Sequence, residues 1–564
     1  MMYQMSPEGA HFLILSVDKS GMPVLTLHSV DESDSAPLVV TLPGRVAGFG
    51  EQARREGFEV VSQAQDGTLT ENVLDFRSGA IKQMASLGGG YSIGFDPGGR
   101  VGLVQTVRGK WATPTATDIG GVPVASVPDR PLMVTEDRTA AYFSGVDKDG
   151  FAVVRKADVL SGEVAVVATA PRADVTARAF SPITGELDAY MYDPGRPEWV
   201  GLTRRMRLAL SHLSNRLPGQ IRIVGRSDDD ATWLIETQDV TSAPAYYVFT
   251  PETRKLRTVV VQGNHIDNDH AESMVTVLTS PDGEAFQAWA VPPDPAACDS
   301  AKQRCPFVVN VHGGPHHRDG AQYDAEAAWL RSQGYWVLRV NFRGSTGFGD
   351  AFANASDGEW GGGAIADIQT ATSWLKTQPG VSSERGAAMG NSYGGFASIA
   401  LATFYPGSVV CAASLNGGGD LRSFALILPQ RRPDMADDIH REVGDVTKPA
   451  DLARILAQSP AEHVGASSVP FLVEYGALDK VSVPEQSTGF IDQLARGGRP
   501  YVSVEYSDQG HGLSSAAAQA FHYRTLRKWL TRCTGMPTAD LPPTSGADVV
   551  VTGDPSLLRD MGLH

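Results

Sequence analysis

At 564 residues the chain has room for two or more domains, and its 42% hydrophobic and 20% charged residues are ordinary for a globular protein. With 48 basic against 64 acidic residues the net charge is −16, which argues against a nucleic-acid surface or an anionic membrane face. No apolar run is long enough to span a bilayer, and four cysteines are too few for a disulfide scaffold.

The chain opens with Met1-Met2-Tyr3-Gln4-Met5-Ser6-Pro7, which has neither a basic flank nor an uninterrupted apolar core and so does not read as a secretory leader. Compartment stays open on this reading: cytoplasmic, or periplasmic or secreted if a leader was removed. From there to about Val261 short β-forming runs alternate with turn clusters. A polar-Pro-x-Gly phrase recurs, as Ser6-Pro7-Glu8-Gly9, Asp96-Pro97-Gly98-Gly99 and, with one more residue, Ser181-Pro182-Ile183-Thr184-Gly185. Each precedes a strand-like run, which is the hairpin punctuation of a blade repeat. Residues 1–265 are therefore expected to form an all-β propeller of about six blades, with a pair of β-sandwiches as the alternative. One helical stretch, Trp199 to Leu217, interrupts the pattern. The polar segment 262–270 reads as a hydrated linker; its histidines and aspartates lack a regular element to fix metal-ligand geometry.

After the linker the period changes. Strands near 274–278 and 285–291 form a hairpin, and further strands near 307–311, 336–341, 386–390, 408–415, 470–476 and 501–506 alternate with helices. This predicts a doubly wound, mostly parallel α/β sheet of eight strands over residues 266–533, with its site at the strand carboxyl ends. Residues 534–564 are expected to be a C-terminal tail, disordered or packed on a neighbour. Cys298 and Cys305 lie close together in a polar loop and either close it or stand as two unrelated thiols. Cys411 and Cys533 are expected to be packing residues.

Gly390-Asn391-Ser392-Tyr393-Gly394 lies between an apolar strand and a good helix, the setting of a nucleophile elbow. Two partners follow. Asp479 comes three residues after the Phe471–Gly476 run, and His511 sits in Gly510-His511-Gly512 just past the alternating run 501–506. The order Ser, Asp, His is that of α/β hydrolases. Upstream, Phe307-Val308-Val309-Asn310-Val311 runs into His312-Gly313-Gly314-Pro315-His316, a loop able to bring backbone N–H groups to a substrate carbonyl. Gly314 and Tyr393 are the expected oxyanion donors. The hydrophobic segment from Asp420 to His440, with Phe424, Leu426, Ile427 and Leu428, is either a pocket wall or an ordinary cap helix.

These motifs, with Asn341-Phe342-Arg343-Gly344-Ser345-Thr346-Gly347-Phe348-Gly349, Gly358-Glu359-Trp360-Gly361 and Asp367, resemble the prolyl oligopeptidase family of serine peptidases, and most closely its acylaminoacyl-peptidase-like branch. The resemblance runs from about Ala271 to Cys533. It implies hydrolysis of short peptides through Ser392, Asp479 and His511, with no metal or organic cofactor and with a propeller restricting access. Two departures stand out. Val481 occupies a position where relatives often carry an arginine or asparagine that binds substrate. There is also no Glu-Glu pair of the kind that grips a free amine in the dipeptidyl-peptidase branch. A carboxylesterase or amidase on small substrates would use the same triad, and a catalytically dead binding protein would not retain it. A homo-oligomer is left open.

Overall fold

The structure is a computed structural model. It describes residues 130–537 and 545–563 apart from 160 and 262–272; before residue 130 it describes 2–5, 11–17, 23–29, 38–40, 42, 45–49, 57–64, 68–75, 77–95, 101–106, 111–112 and 123–124. The expected linker and two of the three polar-Pro-x-Gly turns lie outside the described residues. Two compact units result: Met1–Leu217 with Ile221–Glu236 and Tyr246–Val259, and Val260–His564 with Pro218–Gln220 and Thr237–Ala245.

The first unit is a succession of antiparallel sheets whose strands pair in chain order, the arrangement of propeller blades. Among the described residues there are five such sheets where about six blades were expected. The difference lies in the second sheet, of seven strands. Its strand Ile81–Phe95 is 15 residues long and pairs with Thr68–Leu74 through its first part and with Val101–Thr106 through its second. The third polar-Pro-x-Gly turn does what its chemistry predicts. Ser181 N–H donates to the Glu186 carbonyl at 2.8 Å, and Gly185 takes φ 72°, closing the hairpin between Val175–Phe180 and Leu187–Tyr192. The expected helix is shorter than its apolar pattern. Trp199 belongs to the strand Glu198–Gly201, and the helix Arg204–Ser214 starts where Thr203 Oγ1 accepts from Met206 N–H. It buries Met206, Ala209, Leu210 and Leu213 with Trp233 and Phe249.

The second unit carries one sheet of nine strands: β1 (Met274–Thr279), β2 (Ala285–Val291), β3 (Cys305–Val311), β4 (Trp336–Asn341), β5 (Val381–Asn391), β6 (Cys411–Leu415), β7 (Phe471–Gly476), β8 (Tyr501–Tyr506) and β9 (Val549–Gly553), in the order 1-2-4-3-5-6-7-8-9. Strands β3 to β8 run parallel, while β1, β2 and β9 are antiparallel to their neighbours. The central strands read as apolar runs because helices cover both their faces; every residue of β3, β4 and β7 is buried. The ninth strand corrects the expected tail. Val549–Gly553 pairs with β8, and the helix Pro555–Met561 follows, buried through Leu557 and Met561. Thr534 to His564 looked like a tail because Val549–Gly553 is a five-residue edge strand with an exposed face, preceded by a stretch rich in Pro, Gly and Ser.

All four cysteines are paired. Cys298–Cys305 closes the polar loop, and Cys411–Cys533 ties β6 to the end of the long helix Ala516–Thr534. The expectation that Cys411 and Cys533 are packing residues is thus overturned. Partners 122 residues apart cannot be matched without the fold that brings them together.

Candidate active site

Three parallel strands deliver the expected residues to one edge of the sheet. β5 ends at Asn391, and the helix α1 (Tyr393–Phe404) begins immediately after Ser392. Ser392 is held at φ 59°, ψ −126°, a conformation side chains rarely adopt, and its N–H donates to the Leu415 carbonyl at the end of β6. The glycines have a steric reason. A Cβ on Gly394 would lie 2.0 Å from the Val311 carbonyl oxygen, and one on Gly390 would meet that same oxygen at 2.5 Å. The elbow therefore packs directly on the end of β3, and only glycine fits at either position.

His511 Nε2 stands 3.0 Å from Ser392 Oγ, and its Nδ1 stands 2.8 Å from Asp479 Oδ2. With Nδ1–H donating to the carboxylate, Nε2 is free to accept the serine proton. Asp479 is itself fixed: its other oxygen accepts from the N–H groups of Val481 at 2.7 Å and Ser482 at 3.0 Å. The Asp479 side chain is 1% exposed and the imidazole 28%, so the acid is enclosed while the base is open to a substrate. Val481, noted above as a departure, serves Asp479 through its backbone, and the residue is 41% exposed.

The glycine loop after β3 lies against the nucleophile. A Cβ on Gly313 would come within 3.5 Å of Ser392 Cβ. Gly314 takes φ 126°, where a Cβ would strike the backbone nitrogens of His316 and His317. Tyr393 is the first residue of α1, so its N–H has no partner within the helix. Both expected oxyanion donors thus belong to segments that border Ser392. The Tyr393 ring is buried, its hydroxyl donates to the Trp360 carbonyl at 2.8 Å, and burial pushes its pKa well up. Trp360 packs edge-on to Tyr393 and tilts against Phe424, with centroids at 5.1 and 5.5 Å. The 420–440 segment forms the helices α2 (Leu421–Arg431) and α3 (Ala436–Glu442), with Phe424 and Leu428 buried and Leu426 44% exposed.

A frame around the glycine loop escaped the sequence reading. The Arg343 guanidinium takes Asp367 at 2.8 Å and Asp282 at 2.6 Å, and Ser280 also donates to Asp367. The hydrogen bond from Arg343 holds the Asp282 carboxyl at about 2, and the same pair of carboxylates raises Arg343 above its ordinary value. From this frame Ser345 Oγ meets His312 Nε2 at 3.0 Å, while burial lowers the pKa of His312 and keeps its ring neutral.

A second buried cluster lies under β5. Glu474 accepts from Tyr506 at 2.8 Å and pairs with His522 at 2.8 Å. Glu474 and His522, together with Glu326, Met389, Gly390 and Asn391, line a cavity of about 20 Å³, room for a single water. The signal was present: Glu474 is a lone charge inside an apolar strand.

Residues 321–537 match the prolyl oligopeptidase family. Dipeptidyl aminopeptidase BIII of Pseudoxanthomonas mexicana is 28% identical over 406 residues, covering 71% of this chain and 59% of the relative. Dipeptidyl peptidase family member 6 of Caenorhabditis elegans is 26% identical over 67% of this chain and 54% of the relative. The chain therefore spans little more than half the length of these relatives. Among solved structures, an acylaminoacyl peptidase of Pyrococcus horikoshii superposes with a TM-score of 0.66 at 16% identity, covering 96% of this chain and 90% of that one. A puromycin-hydrolyzing peptidase of Mycobacterium tuberculosis gives 0.61 at 17%, covering 95% of both chains. These likenesses show the fold: a propeller-like unit followed by an α/β hydrolase unit.

Proposed function

We propose that this chain is a serine peptidase that hydrolyses short peptides through an acyl-enzyme. One observation carries the reading: Ser392, on its strained elbow, lies in continuous hydrogen-bonding contact with His511 and Asp479. Ser392 Oγ attacks the scissile carbonyl carbon as its proton passes to His511 Nε2, and Asp479 steadies the imidazolium that forms. The developing oxyanion is held by the N–H of Tyr393 and the N–H of Gly314, each donor worth about 3 kcal/mol in such sites. His511 then returns the proton to the leaving amine, and a water deprotonated by the same ring opens the ester. Relatives named as dipeptidyl aminopeptidases and acylamino-acid-releasing enzymes support a peptide substrate. Two disulfides support an oxidising compartment. Among the described residues no helix is long and apolar enough to cross a membrane.

The test is fluorophosphonate labelling together with turnover of aminoacyl and N-acyl anilides. Ser392→Ala is expected to abolish labelling and reduce kcat by about 10⁴-fold or more. Labelling that survives in that variant, or p-nitrophenyl esters turned over while every anilide is refused, would defeat the peptidase reading.

A further inference from the structure

His316 follows the glycine loop by two residues, and both of its ring nitrogens face acceptors. Nδ1 is 3.0 Å from the Gly344 carbonyl, and Nε2 is 3.5 Å from a Glu442 carboxylate oxygen. A neutral imidazole has one N–H and leaves one of these contacts unmade; an imidazolium makes both. We propose that His316 is a positioning residue for acyl transfer, its imidazolium clasping the oxyanion loop between the Gly344 carbonyl and the Glu442 carboxylate. The proposal rests on the triad reading above.

Each end of the clasp is anchored independently of His316. Gly344 N–H donates to the Phe352 carbonyl at 2.9 Å, beside Arg343 in its carboxylate frame. Glu442 is the last residue of α3, and its own carbonyl accepts from Gly358 N–H at 2.7 Å. The loop between these anchors contains no regular secondary structure from His312 to Gln322. Its shape depends on ties to its neighbours, including Thr346 N–H to the His317 carbonyl at 3.0 Å. His316 is the tie that reaches α3.

The surrounding charges favour the protonated ring. Glu442 faces it from α3, and Asp357 adds to the field from the loop before Trp360. Of the cations beside Glu442, Arg441 is shared among Asp357, Asp438 and Glu442, and Arg454, which donates to the Val443 carbonyl, is paired with Asp451. The Glu442 carboxylate raises the His316 pKa above its ordinary value against an opposing effect of burial, and the Gly344 carbonyl adds to the rise. The clasp is therefore closed below that raised pKa. As pH climbs through it, the Nε2 proton leaves and the tie to Glu442 opens, while Nδ1–H stays on Gly344. Because the clasp acts on the loop that carries an oxyanion donor, the loss is expected to fall on kcat.

The test is the pH profile of kcat and KM on a short peptide anilide for the full chain, His316→Gln and Glu442→Gln. Expected are an alkaline fall in wild-type kcat, a shift of that fall to lower pH in Glu442→Gln, and its disappearance in His316→Gln. The last variant should keep a kcat about tenfold down at neutral pH with KM within about twofold, since a displaced loop costs less than a deleted donor. Variants that label with fluorophosphonate and keep the wild-type alkaline limb would overturn the clasp and leave the triad standing. A wild-type chain that does not label at Ser392 would overturn both. Should His316→Gln fail to fold, the shift in Glu442→Gln decides the matter alone.

Discussion

Ser392 concentrates the cost of the site in one backbone angle. Its φ of 59° is held because glycines at 390 and 394 let β5 and α1 pack on the Val311 carbonyl, and because its N–H is tied to Leu415. Gly394→Ala places a carbon 2.0 Å from that carbonyl, so something must shift. The expected outcome is a loss of about 1–3 kcal/mol in denaturant unfolding, together with loss of fluorophosphonate labelling. Labelling at the wild-type rate would show that the elbow tolerates a side chain there. Most of this was legible from spacing alone, since the Gly-x-Ser-x-Gly turn is local. The ties made by His316 and Arg343 were not, because their partners at 442, 282 and 367 are far away in the chain.

Between elements, two devices fasten the sheet to its helices. Cys411–Cys533 closes a long loop from β6 to the helix after β8, for which chain entropy gives about 4–5 kcal/mol. Replacing both cysteines by alanine should lower unfolding free energy by up to that amount, checked by denaturant titration; no change would mean that the ends are already held by packing. The Glu474–His522–Glu326 cluster is the other device. Neighbouring Glu474 raises the pKa of His522 despite burial, and burial raises that of Glu326. Both groups bind protons more tightly folded than unfolded, so stability is full at low pH and falls as pH rises through each folded pKa. The decline should begin above the ordinary glutamate range, near 4.3, and continue past 6.5, the ordinary histidine value. Glu326→Gln should flatten the lower part of a Tm-against-pH curve and leave the upper part. An unaltered curve would remove Glu326 from the account.

At the scale of the whole molecule, all four cysteines lie in the hydrolase unit, which predicts where reduction acts. Thiol titration of the denatured, unreduced protein should find no free thiol, and four after reduction. Reductant should lower the unfolding temperature followed by the tryptophans of the hydrolase unit more than that of the propeller-like unit. Any free thiol before reduction would argue against the pairing and against an oxidising compartment. The proposed preference for short peptides has its own check, since chromogenic peptides should be cleaved while intact casein is left whole.

Sequence by itself determined what local chemistry and period can express: the β-rich first part, the alternation of strand and helix after it, the elbow at Ser392, and the order of Asp479 and His511. Turn residues and apolar periodicity act over a few positions, so they survive without a fold. Only the tertiary structure decided which distant groups meet: Cys411 with Cys533, Glu474 with His522, Arg343 with two aspartates, His316 with Glu442, and the ninth strand taken from an apparent tail. Such pairings are set by which strand ends the parallel sheet brings side by side, and no local pattern of residues encodes that.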